Sequence, residues 1–258
     1  MTTEQFLISG WTWNPLLLVA SVAALAGSRL AFRQAGRFRY FAASVGVILL
    51  ALISPLHTLA NGYLFSAHMA QHILLLLVAP ALALLGLPAS FSVSRLFRFL
   101  TYPIVGWISG VGAMWFWHVP SLCSAAAISP TMFTVQTISL LSLGSAFWWQ
   151  VLAPREEHRL PPLAAIVYLF TACTACSALG IIITFAPAGV CPIFMQPVDR
   201  LGILPMLRED WGMTMPRDQQ IGGLLMWVPM CLIYVTAILA QLTRWYAVPA
   251  PALAEKGR

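Results

Sequence analysis

The chain has 258 residues, of which 60% are hydrophobic and only 9% charged. A soluble domain carries roughly a quarter of its residues as charges, so this composition excludes an ordinary soluble enzyme and points to an integral membrane protein. The formal net charge of +6 comes almost wholly from arginines. They fall between apolar runs, where basic residues set topology rather than bind nucleic acid.

The N-terminal stretch MTTEQFLISGWTWN lacks the basic n-region of a cleaved signal peptide, so the first span is expected to persist. A helical span needs about 20 apolar residues. Apolar segments occupy residues 13–32, 38–55, 67–87, 102–119, 131–152, 161–186 and 219–245. Uninterrupted hydropathy predicts helices, because only a helix satisfies its own backbone in lipid. A barrel would alternate instead. The expected fold is therefore all-α: one membrane domain over residues 1–258, an integral bundle of seven transmembrane helices. The sixth segment is long enough to tilt or to carry a re-entrant end. Pro80 and Pro229 fall inside spans and predict kinks.

Basic residues alternate between the two sides. One side holds Arg29, Arg33, Arg37, Arg39, Arg95, Arg98, Arg155, Arg159, Arg244, Lys256 and Arg258. The other holds only Arg200, Arg208 and Arg217, in one long loop. This bias predicts the N-terminus outside and the C-terminus in the cytoplasm.

With that topology the second span ends outward at SPLHTLANGY, the third starts outward at SAHMAQH, and the fourth ends outward at MWFWHVP. His57, His68, His72 and His118 then share one depth near the outer boundary, whereas His158 lies in a charged cytoplasmic loop. His68 and His72, four residues apart, share a helix face at a spacing that suits two imidazoles on one metal. His57 or His118 would supply a third ligand. Met69 is expected to point away from that face. Imidazole with thioether or thiolate suits copper, above all Cu(I). Met213 and Met215 in GMTMP, and Cys191 and Met195 in CPIFM, are weaker soft-metal signals in the outer loop. Single interfacial histidines often only cap helices or bind headgroups, but ionisable groups inside a membrane are costly and usually have a task. Asp218, at the head of the seventh span, reads either as a carboxylate at a helix N-terminus or as a partner orienting a histidine.

Cys173 and Cys176 in CTAC share a face of the sixth span and read as small residues for helix packing, with thiol copper ligation the lesser reading. Cys231 reads as core. Cys123 and Cys191 both face outside, where a disulfide is permitted. Trp11, Trp13, Trp115, Trp117, Trp148, Trp149 and Trp245 cluster at span ends, as interfacial belts do. The only lysine is Lys256 in the tail, which removes a retinal Schiff base. There is no P-loop, HExxH or GxSxG, and no obvious inverted repeat.

The blocks SPLHTLANGYLFSAHMAQHILLLLVAPALALLGLP, WHVP, FWW and DQQIGGLLMWVP occur in the order seen in the multi-span CtaG-type cytochrome c oxidase assembly proteins, which the chain resembles from Ser54 to Tyr246. The resemblance implies a seven-span bacterial inner-membrane protein that matures a haem–copper oxidase and handles copper for it. It places His57, His68, His72, His118 and Asp218 on the family's recurring polar positions. The chain departs from the family in its fifth span. There Ser129, Phe133, Gln136 and Thr137 stand where histidine or a Glu-His pair is expected, and Met132 lies on a different face from Thr137.

The leading expectation is a non-enzymatic assembly factor. It would bind copper through His68, His72, His118 and His57, supported by Asp218, Met213 and Met215. Its partners would be a periplasmic copper donor, an oxidase subunit in the same membrane and the surrounding lipid, and not nucleic acid. One alternative is a b-type cytochrome using the outer histidines as axial ligands. The other is a metal-free docking partner of the oxidase.

Overall fold

The computed structural model describes residues 1–31 and 35–247. Arg33, Lys256, Arg258 and the end of the first expected span at Phe32 lie outside them. The described residues form helices and connections without a strand. In chain order the helices are α1 (Thr3–Ser9), α2 (Pro15–Ala31), α3 (Ala35–Ile53), α4 (Pro55–Ala60), α5 (Phe65–Ile73), α6 (Ala79–Gly86), α7 (Pro103–Trp117), α8 (Pro120–Ile128), α9 (Pro130–Leu152), α10 (Pro162–Phe185) and α11 (Met215–Tyr246). Proline occupies the first or second position in several of them, where its missing N–H costs nothing.

Each of the seven apolar segments coincides with a helix or a joined pair of helices. Fewer reach the length and apolarity of a span. Among the described residues, Phe65–Gly86, Pro162–Phe185 and Met215–Tyr246 do so, and α7 with α8, bent by 77°, makes a fourth. The apolar part of α2, Pro15–Leu30, is shorter. In α9, Thr131, Thr134, Gln136, Thr137 and Ser139 dilute the N-terminal half. The sixth segment is one unbroken helix, α10, with no re-entrant end.

The span that opens with the histidines is irregular for a stated reason. Pro80 has no N–H to return to the carbonyl of Leu76, and Leu74–Val78 forms a π turn between α5 and α6. The Leu76 carbonyl faces Gly144 of α9, and a Cβ at Gly144 would land on that oxygen, far inside contact distance. Gly144→Ala is therefore expected to destabilise the protein by about 1–3 kcal/mol, the range for overpacking a tight contact. Thermal unfolding in detergent checks this, and an unchanged midpoint would mean that the two helices part without cost. In contrast, α11 runs on through Pro229 as one continuous helix.

The tryptophans divide between surface and core, which corrects the expectation of a uniform belt. Trp11 and Trp13 are exposed and stacked on each other. Trp117, Trp148 and Trp149 are buried. Trp148 stacks on Tyr234 of α11, and Trp117 donates its indole N–H to Ser139. These rings pack the bundle rather than anchor it to headgroups.

A second, smaller core lies at the histidine end of the bundle. Phe6 of α1, Leu59, Tyr63, Ile203, Met206 and Leu207 close over it, and Trp211 donates to the Thr3 hydroxyl at 2.9 Å. This roof covers the head of α5.

Candidate metal centre

His68 and His72 follow each other by one turn on α5, with ring centroids 4.6 Å apart. The bend after α7 turns His118 inward, and its centroid lies 5.2 Å from that of His72. All three are buried. The Nδ1 of His118 lies 2.5 Å from the carbonyl oxygen of Met114. A carbonyl only accepts, so Nδ1 holds the proton and the neutral ring presents Nε2 as a bare lone pair. That Nε2 sits 3.0 Å from the thioether sulfur of Met69. The sulfur is also an acceptor. Two lone pairs thus face each other with no proton between them, an arrangement that suits a soft cation rather than a hydrogen bond.

Met69 is the residue that sequence reasoning set aside, and the structure corrects this. Its side chain leaves α5 on a different face from His68. His118, arriving from α7, lies across both faces and meets His72 with its ring and Met69 with its Nε2. No helical periodicity carries that signal, because the bridging ligand comes from another helix.

Among the described residues, three further ring nitrogens make no hydrogen bond of ordinary geometry, Nε2 of His68 and both nitrogens of His72, although the Gln136 side chain faces His72. The amide nitrogen of Gln136 and the hydroxyl of Thr137, on α9, are unpartnered as well. A buried polar atom left open costs about 1–3 kcal/mol, so the cluster is built against stability. Among the described residues no group of three or more His, Cys, Asp or Glu side chains is arranged to hold a metal by itself. His68, His72, His118 and Met69 lie together as a mixed set of imidazole and thioether side chains, whose rings would have to turn to converge on one ion.

His57 stands apart from the three. Gln71 donates from Nε2 to the carbonyl of Ala51 at 2.5 Å, and the same nitrogen lies 3.3 Å from Nδ1 of His57. Nδ1 is therefore the acceptor, and Nε2 carries the proton. Burial pushes the His57 pKa below its usual value, which favours this neutral form. The ring rests on Phe133, centroids 5.1 Å apart. Both residues line a cleft of about 690 Å³ between α2 and α9, with Asn14, Leu17, Thr137 and Arg200 on its other walls. Met213 packs on the smaller core, and its carbonyl accepts from Arg208. Met215 is exposed at the first position of α11.

Four residues of the DQQIGG block, Asp218, Gln219, Gly222 and Gly223, hold helix ends or close contacts. The Asp218 carboxylate is buried and accepts from Phe65 N at 2.7 Å, Ser66 N at 3.0 Å and Ser66 Oγ at 2.6 Å. It therefore caps the N-terminus of α5 rather than that of its own helix, and it aligns the helix that carries His68 and His72. Gln219 accepts from the backbone of Gly189 and Val190 and donates to the carbonyls of Ile183, Ala186 and Pro187. It closes the end of α10. Gly222 leaves room for Phe65 and Met69, and Gly223 for Thr184 and Gly180.

Cys123 of α8 and Cys191 form a disulfide. It fixes the segment carrying Phe194, whose ring packs on both His68 and Phe65. Closing a loop of 68 residues stabilises by roughly 4 kcal/mol on the chain-entropy account.

Residues 17–247 match the sequence profile of the cytochrome c oxidase caa3 assembly factors. The chain belongs to the caa3 assembly factor family. Among curated relatives of this family member, an uncharacterized protein of Mycobacterium leprae (strain TN) is 24% identical over 206 residues, covering 70% of this chain and 30% of the relative. Uncharacterized proteins of Mycobacterium bovis and Mycobacterium tuberculosis are each 24% identical over 271 residues, covering 93% of this chain and 40% of theirs. The chain thus spans less than half the length of the curated relatives it matches. No solved structure matches it.

Proposed function

We propose that this assembly factor binds Cu(I) at the outer face of a bacterial inner membrane and passes it to a haem–copper oxidase subunit in the same membrane. Seven spans, N-terminus outside and C-terminus cytoplasmic, would put the histidine cluster on that face, as the arginine distribution predicts. The disulfide at the same end supports this orientation, since disulfides persist in oxidising compartments. The protein works here by binding and release, without catalysis. A periplasmic copper donor would load it, and the cleft beside His57 offers the approach. The observation that carries the reading is the pairing of two acceptors, His118 Nε2 and Met69 Sδ, at 3.0 Å. His68, His72, His118 and Met69 would hold the ion. Their imidazole and thioether chemistry matches a soft monovalent cation.

The b-type cytochrome reading is disfavoured by the same geometry. Rings with centroids at 4.6 Å and 5.2 Å leave no gap for a haem plane. The test is an anaerobic Cu(I) titration of the detergent-purified protein against a chromogenic chelator, beside His68→Ala/His72→Ala, with an absorption spectrum of each sample. One tight equivalent lost in the double variant is expected, with no Soret band. No difference between the two proteins would refute the copper reading, and a Soret band would reinstate haem.

A further inference from the structure

Two thiols meet between α10 and α11, remote from the histidines. The Sγ of Cys173 lies 3.2 Å from the Sγ of Cys231. The hydroxyl of Ser177, one turn along α10, lies 3.0 Å from the same Cys231 sulfur and 4.0 Å from that of Cys173. The CTAC spacing is thus misleading. Cys176 turns to the Tyr234 hydroxyl at 3.8 Å, and the partner of Cys173 comes from the next helix. Cys231 is not core either, since it and Cys173 are half-buried.

The two helices cannot easily separate these sulfurs. Gly180 of α10 fits against Gly223 and Trp227 of α11, leaving no space for a side chain. The dithiol lies thirteen residues along α11 from Asp218, roughly 20 Å at 1.5 Å per residue. His72 lies seven residues along α5 from Phe65, which Asp218 caps, or roughly 10 Å. The dithiol is therefore about 10 Å deeper than the histidine cluster by helical rise.

We propose that Cys173 and Cys231 form a second soft-metal site, taking Cu(I) between their sulfurs. Thiolates are the ligands Cu(I) prefers. In an apolar setting the favoured complex is the uncharged one, because a charge inside the membrane is expensive. Cu(I) forms bonds to both sulfurs and displaces one proton, the S–H of Cys231. Cys231 becomes the thiolate, Cys173 remains a thiol donor, and the proton leaves to solvent. The positive ion and the single thiolate sum to zero. Ser177 donates its O–H to the Cys231 thiolate, a charge-assisted bond stronger than a neutral one. No electron is transferred. The site stands on α10 and α11 alone and does not rest on the histidine reading.

The experiment is an anaerobic Cu(I) titration of the full-length protein in detergent, followed by copper X-ray absorption and by alkylation with N-ethylmaleimide. Wild type is compared with Cys173→Ala/Cys231→Ala and with His68→Ala/His72→Ala. The cysteine variant should lose one equivalent of Cu(I) and its thiolate sulfur scattering, while the histidine variant keeps both. Bound Cu(I) should slow alkylation of Cys173 and Cys231 by roughly tenfold or more, since a ligated thiol is no longer a free nucleophile. Cys231→Ser serves as the second variant should the double one fail to fold. Unchanged Cu(I) stoichiometry in the cysteine variants, or alkylation of Cys173 and Cys231 in wild type that bound Cu(I) does not slow, would overturn the proposal. So would a mass lighter by two hydrogens across this pair in the protein as purified, which would make it a disulfide.

Discussion

Replacing Asp218 with alanine should destabilise the protein by about 3–5 kcal/mol, because three buried donors lose their acceptor at once. Two of them are the first backbone N–H groups of α5 and the third is the Ser66 hydroxyl. Asp218→Asn should fall between, since one amide oxygen survives and the new NH₂ faces an N–H. Thermal unfolding in detergent reads the size, and amide exchange in the first turn of α5 reads the place. Exchange there should rise before that of α9. An alanine variant with wild-type midpoint and protection would show that α5 is held by its apolar packing alone. Because α5 carries His68, His72 and Met69, the same variant should also bind Cu(I) more weakly.

Replacing His72 with leucine separates function from packing, because the two predict opposite signs. Both nitrogens of His72 are buried with no hydrogen bond of ordinary geometry among the described residues. Leucine removes that cost and keeps most of the volume, so the metal-free protein should be as stable or more stable, by up to about 2 kcal/mol. Cu(I) affinity should meanwhile fall at least about 100-fold, more than the loss of an outer-shell group gives. In cells, oxidase activity and oxidase copper content should fall together. Met69→Leu, nearly isosteric, should cost less, about tenfold, since it removes one thioether of four donors. A leucine variant that unfolds easily yet still matures the oxidase would make His72 a structural residue and end the metal reading.

The bundle was legible in the sequence because apolar length and helix formation are tied through the backbone. All seven apolar segments coincide with helices. The membrane count was less legible. Segment length says little about how polar a helix is along one half, as α9 shows, or about a bend such as the one after Trp117. At the site, the i, i+4 spacing of His68 and His72 placed two rings correctly, and the outward ends of neighbouring segments brought in His118. His57 shares the depth but is held by Gln71 and faces the cleft. Met69 was missed because its partner is set by helix crossing. Asp218 read either as a carboxylate at the start of its own helix or as a partner orienting a histidine; the helix it caps is α5, whose Ser66 is 152 residues from it along the chain. Cys231 was misread for the same reason as Met69: contacts between helices have no period in one sequence.

The bond between Cys123 and Cys191 has a consequence for when the protein becomes competent. It anchors the segment whose Phe194 ring lies on His68, so this part of the cover over the cluster would be held in place only once two thiols are oxidised. A newly inserted chain would have its helices and its histidines but a loose cover. On the proposed function, the factor that prepares the oxidase must itself first be finished by the cell's thiol-oxidising machinery. Strains lacking that machinery would then lose the oxidase one step removed, with every oxidase gene intact.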